Sequence, residues 1–571
     1  MEKQLSKTHF NRRLGAMSTE RSSWLFTWRD LNDNVAPGTG RFIRTDRNRG
    51  DTKRCGRIID NTATMCLRTL SSGMMSGITS PARPWFKLRT ANPALNDVQS
   101  VRLWLDNAEK VMSNIFLKSN LYTSLPVLYT DLGLYGTSCM AILEDDEDTI
   151  HCMNFPVGSY MLATNFKGQV DTVYRQYQMR VSQIVDQFGR AKGPSEEDID
   201  WTNISITVRN LYQGGNLDAW IEVVHVIEPN WTPDKTKLEA KRKPFLSVYY
   251  EQDGDPEVLL SVSGFNELIV VAPRWDLTGE DIYGVSPGQV CLGDIRTLQL
   301  TQKRGMELLD KFTRPPMVAP ASMRQKASSV LPGDVTYVDI NQGGQGFVPA
   351  YQIPNPHQQD LQFSIQAVQN RIKEAFFTNL FLMIANDQRE GVTATEIAAR
   401  QEEKLLALGP VYLRLNDELL DPLVERTFSI MLRKALLPQP PPEMQGQMLT
   451  VEYISVMAQA MKAIGMAGIE KVSAYAVGLL QADPTVADVL NFDESVRAYA
   501  EMAGAPPKVV RDIVMVAQMR QQRQQQQQQA AQMQAMQQSS QAVHALGTAP
   551  ADPSTALGQL AAQMRKAPGT A

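Results

Sequence analysis

The residues that could do chemistry in this chain are few, and none has the spacing of a reactive site. The five histidines are isolated, and the five cysteines form no C-x-x-C pair, so neither a zinc site nor a catalytic triad is indicated. No G-x-x-x-x-G-K-S/T, H-E-x-x-H, G-x-S-x-G or G-x-G-x-x-G motif occurs. We therefore predict no catalytic residue, no metal site, no cofactor and no enzymatic activity.

Two charged segments have alternative interpretations. The acidic run at 144–148 could bind a cation, but it lacks a fixed ligand spacing and is more typical of a solvated turn. The basic segment at 41–57 could bind phosphate. Because aromatic residues are nearly absent there, a solvated loop or a subunit contact is the alternative.

A helix predicted at 286–313 is the central element among those that would position a functional surface. Ser286 is a good N-cap, Pro287 suits the first helical position, and Gln289 completes an S-x-x-Q capping box. Pro315 and Pro316 stop the helix.

A second helix is predicted over 359–381, after an excursion rich in proline and glycine. Its apolar residues recur at spacings of three and four and form one stripe, whereas the opposite face is polar. The stripe consists of Leu361, Ile365, Val368, Ile372 and Phe376. The two helices form a hairpin, either an ordinary one on a globule or one repeated around a ring with its polar faces lining a wet channel.

Composition excludes several classes of protein. With 571 residues, 43% hydrophobic and 21% charged, the chain is ordinary and globular. The net charge of −4 does not indicate a generally basic nucleic-acid surface. No run approaches the ~18 apolar residues of a membrane-spanning helix, and scattered cysteines fit a reducing compartment.

The rest of the chain reads as helical on both sides of a strand-rich module. Helices are expected over 2–32, 58–77, 96–118 and 120–135, and strands over 170–179, 204–212, 220–227, 245–250 and 258–262, with one short helix at 182–188. A T-x-x-E capping box begins a long helix at 393, and Pro410 and Pro422 should kink it. Residues 450–519 read as helical, and a glutamine tract precedes a polar tail.

The order of these elements resembles the portal, or head-to-tail connector, proteins of short-tailed bacteriophages. The matching motifs are Gly73-Met74-Met75-Ser76-Gly77-Ile78-Thr79-Ser80-Pro81 with Arg83-Pro84-Trp85-Phe86, Tyr283-Gly284-Val285-Ser286-Pro287-Gly288 with Leu292-Gly293-Asp294-Ile295, Arg314-Pro315-Pro316, and Thr393-Ala394-Thr395-Glu396-Ile397. The resemblance covers about residues 10–440. Each motif is structural, and their order and spacing carry the resemblance.

The resemblance implies a mainly helical α+β portal fold that forms a ring, usually of twelve subunits. It implies an N-terminal region and wing over 1–285 with the strands in 149–285, stem helices at 286–313 and 359–381, a clip at 314–358, a tunnel loop at 382–392, a long kinked wing helix and linker at 393–449, a helical crown at 450–530 and a disordered tail at 531–571.

The same resemblance assigns surfaces rather than catalytic sites. The channel-facing residues expected to meet DNA are Asn386, Asp387, Gln388, Arg389, Glu390 and Lys373. The clip surface expected to meet partners includes Arg314, Arg324 and Lys326. The residues expected to pack subunits together are Ile365, Val368, Ile372 and Phe376.

The implied partners are eleven further copies of the chain, double-stranded DNA passing without sequence specificity, terminase, tail adaptors, and the major capsid and scaffolding proteins. The implied location is the portal vertex of the virion, after assembly in the host cytoplasm and without a membrane. A separate terminase would explain the missing nucleotide-binding loop. The alternative is another structural virion protein, a scaffold or tail component, without a DNA channel.

Overall fold

The computed structural model describes residues 5–42, 58–96, 98–189, 199–234, 239–255, 258–314, 317–318, 348–349, 358–385, 408–444, 446, 449–455, 475, 491, 493–497, 513–548 and 559. The chain folds as two compact units, Met1–Gly465 and Met466–Ala571. The fold mixes helices and sheets, as predicted.

The N-terminal part of the first unit is helical. Its elements are α1 (Lys7–Asn34), α2 (Thr62–Gly77), β1 (Phe86–Thr90), α3 (Pro93–Asn96), α4 (Gln99–Lys118) and α5 (Leu121–Tyr135). The Ser6 hydroxyl caps α1 by accepting a hydrogen bond from the His9 amide at 3.2 Å. At its other end, α5 terminates at Gly136, which adopts a left-handed conformation with φ +79°.

The middle of the first unit holds two antiparallel sheets. Their strands are β2 (Met140–Asp145), β3 (Thr149–Asn154), β4 (Tyr160–Thr164), β5 (Val170–Arg180), β6 (Trp220–Pro229), β7 (Phe245–Glu251), β8 (Ser261–Phe265) and β9 (Val270–Val271), with helices α6 (Val181–Ile184) and α7 (Ile206–Gln213) between β5 and β6. One sheet has the order β3-β2-β9 and the other β4-β5-β6-β7-β8.

Both faces of the larger sheet are covered, because successive side chains of a strand point to opposite faces and β6 has buried residues in consecutive positions. In β6, Val224 and Val226 pack beneath Phe10 of α1. Val223, one residue out of phase, packs with Ile184 and Val208 on the other face. The strands predicted over 170–179, 220–227 and 245–250 are confirmed, whereas that predicted at 258–262 is displaced to Ser261–Phe265.

The prediction of a strand over 204–212 is wrong, because Ile206–Gln213 is helix α7. The apolar alternation there suits a strand, but the Ser205 hydroxyl accepts from the Val208 amide at 3.3 Å and starts a helix. Val208 is then fully buried.

The C-terminal part of the first unit contains α8 (Pro287–Val290), α9 (Leu292–Thr313), β10 (Met317–Val318), β11 (Val348–Pro349), α10 (Gln358–Ala375), α11 (Thr378–Ala385), α12 (Asp421–Arg433) and β12 (Leu449–Tyr453). Residues 408–415 are also helical. A π turn at Asn416–Leu420 lies directly before Pro422, where a kink was predicted. The helix predicted from 450 is wrong at its start, because β12 pairs antiparallel with β1, Phe86 opposite Tyr453.

The main core joins helices from both ends of the first unit. Trp85 stacks on Phe116 and on Tyr453, with ring centroids 5.8 and 6.5 Å apart, and so ties β1 to α4 and β12.

In the second unit, α13 (Ile513–Thr548) carries the glutamine tract, and the Arg520 guanidinium pairs with the Asp493 carboxylate at 2.5 Å. The crown–tail boundary predicted at 530 falls inside this helix.

The candidate stem hairpin and its surfaces

The hairpin of α8–α9 and α10, which the resemblance assigns to the stem and which is therefore called the stem hairpin, begins at the capping box that the sequence predicts. The Ser286 hydroxyl accepts from the Gln289 amide at 2.9 Å, and the Gln289 side chain accepts from the Ser286 amide at 2.8 Å. The same hydroxyl donates to the Leu134 carbonyl at 2.7 Å. The first stem helix is therefore fixed to the end of α5. It is interrupted once, at Cys291, between α8 and α9.

Two glycines allow the end of α5 and the segment before α8 to approach each other closely. A Cβ on Gly136 would lie 2.2 Å from the Gly284 carbonyl oxygen, and one on Gly284 would lie 2.4 Å from the Gly136 oxygen. Any side chain at either position would separate the two backbones. This contact explains why Gly284 stands between Tyr283 and Ser286 in the motif that carries the resemblance.

The part of the stem hairpin where α9 and α10 contact the segment before α2 is called its root. The root is held together by Asp60, which the sequence did not identify. One carboxylate oxygen of Asp60 accepts from Gln369 of α10 at 2.9 Å and from Gln302 of α9 at 3.2 Å. The other accepts from the Thr62 amide at 2.8 Å. Burial alone would raise the pKa of Asp60, but these hydrogen bonds outweigh burial and lower its pKa. Gln369, on the face of α10 opposite the stripe, is thus a structural residue.

Gln299 of α9 reinforces the root through backbone groups. Its side-chain oxygen accepts from the amides of Ile59 and Asp60 at 2.6 and 2.9 Å, and its nitrogen donates to the Asp60 carbonyl at 2.8 Å. A buried amide that satisfies three backbone groups is position-specific. No short motif would have revealed it, because its partners lie about 240 positions away.

The apolar stripe of α10 is buried inside the chain itself. Val368 is 6% exposed, and Ile372 and Phe376 are fully buried in the main core, with Ile365 packed at its edge. Their burial needs no second subunit.

The prediction of a single helix over 359–381 is wrong, because Phe377 adopts φ +53° and separates α10 from α11.

Helix α11 packs on α2 through the glycine of another matching motif. A Cβ on Gly73 would lie 2.2 Å from Cγ of Phe381, which is 4% exposed. The glycine therefore makes room for the Phe381 ring. Residues 382–385, the first of the predicted tunnel loop, lie within α11.

The half of the stem hairpin away from the root, called the far half, exposes apolar side chains of the kind that the root buries. Four large apolar side chains are at least half exposed there, namely Met306, Leu309, Phe312 and Phe363. No other described part of these two helices covers them. Such exposure on two neighbouring helices indicates a surface that another molecule covers.

Charged residues lie along both stem helices. The Arg371 guanidinium pairs with the Asp294 carboxylate across the hairpin at 2.7 Å. Lys373 is half-buried, and its charge is close enough to the Cys66 thiol to counter the rise in pKa that burial causes there. Arg314 ends α9 and is exposed. The remaining predicted site residues, Arg324, Lys326 and Asn386–Glu390, lie outside the described residues.

The described part of the chain contains no group of three potential metal ligands. Burial raises the pKa of Glu109 to about 7, where the carboxylate accepts from the Leu88 amide at 2.8 Å. Burial lowers the pKa of His225 to about 3, where the ring stacks on Tyr249. The His225 ring also shares a hydrogen bond of 2.9 Å with the Ser247 hydroxyl. No described helix is long and apolar enough to cross a membrane.

These features define a protein with a firmly rooted helical pair whose far half is exposed. The chain matches the model of the bacteriophage head to tail connecting protein family over residues 7–510. It is 46% identical over 505 residues to the portal protein of Salmonella phage epsilon15, covering 88% of each chain. It is 39% identical over 508 residues to the probable portal protein of Bordetella phage BPP-1, covering 89% of each chain. The chain belongs to this family of phage portal proteins.

Solved structures give weaker likenesses. A chain in the virion of a native gene transfer agent particle matches with a TM-score of 0.34 and 11% identity, covering 78% of this chain and 95% of that one. A chain in the neck of the empty particle matches with a TM-score of 0.32 and 12% identity, covering 76% and 93%.

Proposed function

We propose that this portal protein forms a closed ring, usually of twelve copies, at one vertex of the capsid. DNA enters and leaves through the centre of the ring. Two observations together support the proposal. The chain belongs to the portal family, and the far half of its stem hairpin exposes large apolar side chains. Contacts between unlike faces leave no free end only when the ring closes.

The neighbouring copy is the proposed cover for the exposed stem residues. Phe312 and Phe363 are 52% and 68% exposed in the single chain. Because Ile372 and Phe376 are already buried within the chain, the stripe contributes to subunit packing by fixing the hairpin from which the exposed residues extend. Negative-stain images and native mass spectrometry test the proposal: a ring of about twelve monomer masses supports it, and only monomer or dimer contradicts it.

The charge of the chain fits a conduit that does not grip DNA. Phosphate contacts bind DNA strongly and without sequence preference, so a densely basic channel would stall a moving duplex. The net charge of each copy is −4, which leaves only local attraction. We propose Lys373 and the 386–390 segment, with Arg389 between Asp387 and Glu390, as these local contacts.

A loop deletion tests that assignment. We expect removal of Asn386–Glu390 with a glycine bridge to leave rings intact, because the stripe and the Asp60 bonds are untouched. Packaged DNA should be shortened or should leak from the head. Normal genome length and retention would remove the segment from the mechanism, and loss of rings would make it structural.

The clip is the proposed docking surface for terminase and then for tail adaptors. The exposed Arg314 lies where the described part of α9 ends, and Arg324 and Lys326 follow in sequence. The variants R324E and K326E should keep rings intact and weaken docking of either partner. Full packaging and tail attachment in both variants would contradict this assignment.

The proposal includes no catalysis of its own. Assembly would take place in the host cytoplasm with capsid and scaffolding proteins, and terminase would supply the hydrolysis of ATP. Purified protein should neither hydrolyse ATP nor nick DNA with magnesium or manganese. A turnover that disappears with a point substitution in this chain would contradict the structural role.

A further inference from the structure

Strand β12 has an outer edge whose backbone groups carry no hydrogen bonds. Its sheet consists of β1 and β12 alone. The Ile454 amide donates to the Trp85 carbonyl at 2.9 Å, so every second residue of β12, counted back from Ile454, faces β1 in a hydrogen-bonded pair. The residues between them, Leu449, Val451 and Tyr453, therefore direct their amides and carbonyls away from β1. Among the described residues, none of these outward backbone groups has a hydrogen-bond partner.

The opposite edge of the same sheet is closed by side chains. On β1, the amides of Leu88 and Thr90 point outward. They donate to the Glu109 carboxylate and to the Asn96 side-chain oxygen, each at 2.8 Å. The alternation of inward and outward amides along β1 is therefore the one that the Ile454 bond requires.

Outer edges of the other sheets are closed in the same way. On β3, the Asn120 side chain accepts from the Cys152 amide at 2.8 Å and donates to the Cys152 carbonyl at 2.7 Å. On β4, the Tyr283 hydroxyl accepts from the Leu162 amide at 3.1 Å. The edge of β12 differs from these edges because its outward groups are left open.

The composition of β12 favours pairing with a further strand. Thr450, Val451 and Tyr453 are residue types that strands prefer. Proteins protect a free edge with lysine, proline or a bulge, and β12 contains none of these. Its one charged residue, Glu452, pairs with Arg89 of β1 at 3.0 Å. Only another polypeptide in extended conformation offers donors and acceptors that alternate to match such an edge.

We propose that an extended segment of the neighbouring copy pairs with the outer edge of β12, an inference that rests on the ring proposed above. The contacts of a ring join unlike surfaces, so this segment belongs to a part of the chain other than β12. Two β12 edges that paired with each other would join identical surfaces and give a two-fold dimer instead. Main-chain hydrogen bonds would supply the affinity of the contact.

Hydrogen exchange of single amides tests the pairing in the full-length protein. Isolated rings and unassembled chains are compared by mass spectrometry, with fragmentation that resolves neighbouring residues. We expect the outward amides of Leu449, Val451 and Tyr453 to exchange at least tenfold more slowly in rings than in unassembled chains. The inward amides of Thr450 and Glu452 are the internal control, because β1 protects them in both forms.

A proline substitution removes one outward donor without touching the bonds to β1. Val451→Pro lacks only the amide that faces away from β1, and proline is tolerated at such a position of an edge strand. We expect the protein concentration at which half of the chains are in rings to rise about tenfold. Val451→Ala is the matched control, because it shortens the side chain and keeps the amide, and it should shift that concentration less than about threefold. Equal assembly of the two variants would contradict the contact.

The exchange measurement keeps the test valid if Val451→Pro misfolds, and its outcomes separate the two proposals. Rings in which the outward amides exchange as fast as in unassembled chains would leave the ring standing and overturn this contact. Protection already present in unassembled chains would show that each chain covers its own edge. Protection in a two-fold dimer alone would show that β12 pairs with itself, and either result overturns the inference. Absence of any ring would contradict the proposed function and this inference with it.

Discussion

The two halves of the stem hairpin are built from similar amphipathic helices but differ in what their apolar side chains contact. At the root, Ile372 and Phe376 are fully buried, and Asp60 bridges both helices. At the far half, Phe312 and Phe363 remain 52% and 68% exposed. The root therefore belongs to the fold of one chain, and the far half is left for contact with another molecule.

The largest loss of stability is expected from a substitution in the root. Changing Ile372 to Asp places an unpaired charge in the main core and removes a buried side chain, which should lower the free energy of unfolding by about 3–5 kcal/mol. Urea denaturation of the unassembled protein measures it. The matched control is Phe363→Asp on the same helix, which should change that free energy by less than about 0.5 kcal/mol. Equal losses in both variants would remove the distinction between root and far half.

The second effect concerns packing at the root. Gly73→Ala places a Cβ against the ring of Phe381, which must shift, and we expect a loss of about 1–3 kcal/mol in stability. Gly293→Ala is the control, because no atom lies within 4 Å of its Cβ position in α9. That substitution should stabilise by about 0.5–1 kcal/mol through helix propensity. Thermal denaturation of both variants would show opposite signs, and a stabilised Gly73→Ala would contradict the close packing.

Local sequence signals predicted much of this hairpin. The spacing of Val368, Ile372 and Phe376 identifies a buried face, and Ser286 and Gln289 identify a helix start, because both depend on residues within a few positions of each other. The same spacing continues smoothly through Phe377, so it could not show that this residue leaves the helix. Only the packing of α11 on α2 requires the break.

Long-range pairings were outside the reach of local patterns. Strand β12 pairs with β1 across more than 350 positions, and Arg89 bonds Glu452 across 363. Asp60 is an unremarkable acid until α9 and α10 bring Gln302 and Gln369 to it. Arg175 reads as one polar residue in a strand, and only the fold places the rings of Phe155 and Tyr177 against its guanidinium. The clip and channel residues Arg324, Lys326 and Asn386–Glu390 remain predictions.

The third effect tests the far half directly. Phe312→Ser removes a half-exposed ring and should leave the stability of the single chain unchanged within about 0.5 kcal/mol. If a neighbouring copy covers this ring, association should weaken by about 1–2 kcal/mol per contact. Native mass spectrometry over a dilution series measures the ring fraction. An unchanged ring fraction would show that Phe312 lies outside the subunit contact. Phe166→Ser, at 93% exposure in the turn between β4 and β5, is the control for surface polarity alone.

The smallest expected effect is the pH dependence of the Asp60 bridge. Asp60→Asn replaces an acceptor oxygen by a donor, so one of the amides from Gln302, Gln369 or Thr62 loses its partner. We expect a loss of about 1 kcal/mol at pH 7, typical of one buried hydrogen bond. Asp310→Asn, on the exposed surface of α9, should stay within about 0.5 kcal/mol of the parent protein.

The sign of the pH effect follows from the lowered pKa of Asp60. A carboxyl whose pKa is lower in the folded state stabilises the fold above its unfolded value, 3.8 for Asp, and loses that contribution as pH falls through the folded value. The stability difference between the parent protein and Asp60→Asn should therefore be constant from pH 7 to pH 5 and should shrink below pH 4. Urea denaturation of both proteins at several pH values gives this difference while other titrations cancel. A difference that grows as pH falls would mean that the folded state prefers protonated Asp60, and the bridge between α9 and α10 would then not depend on the charge of the carboxylate.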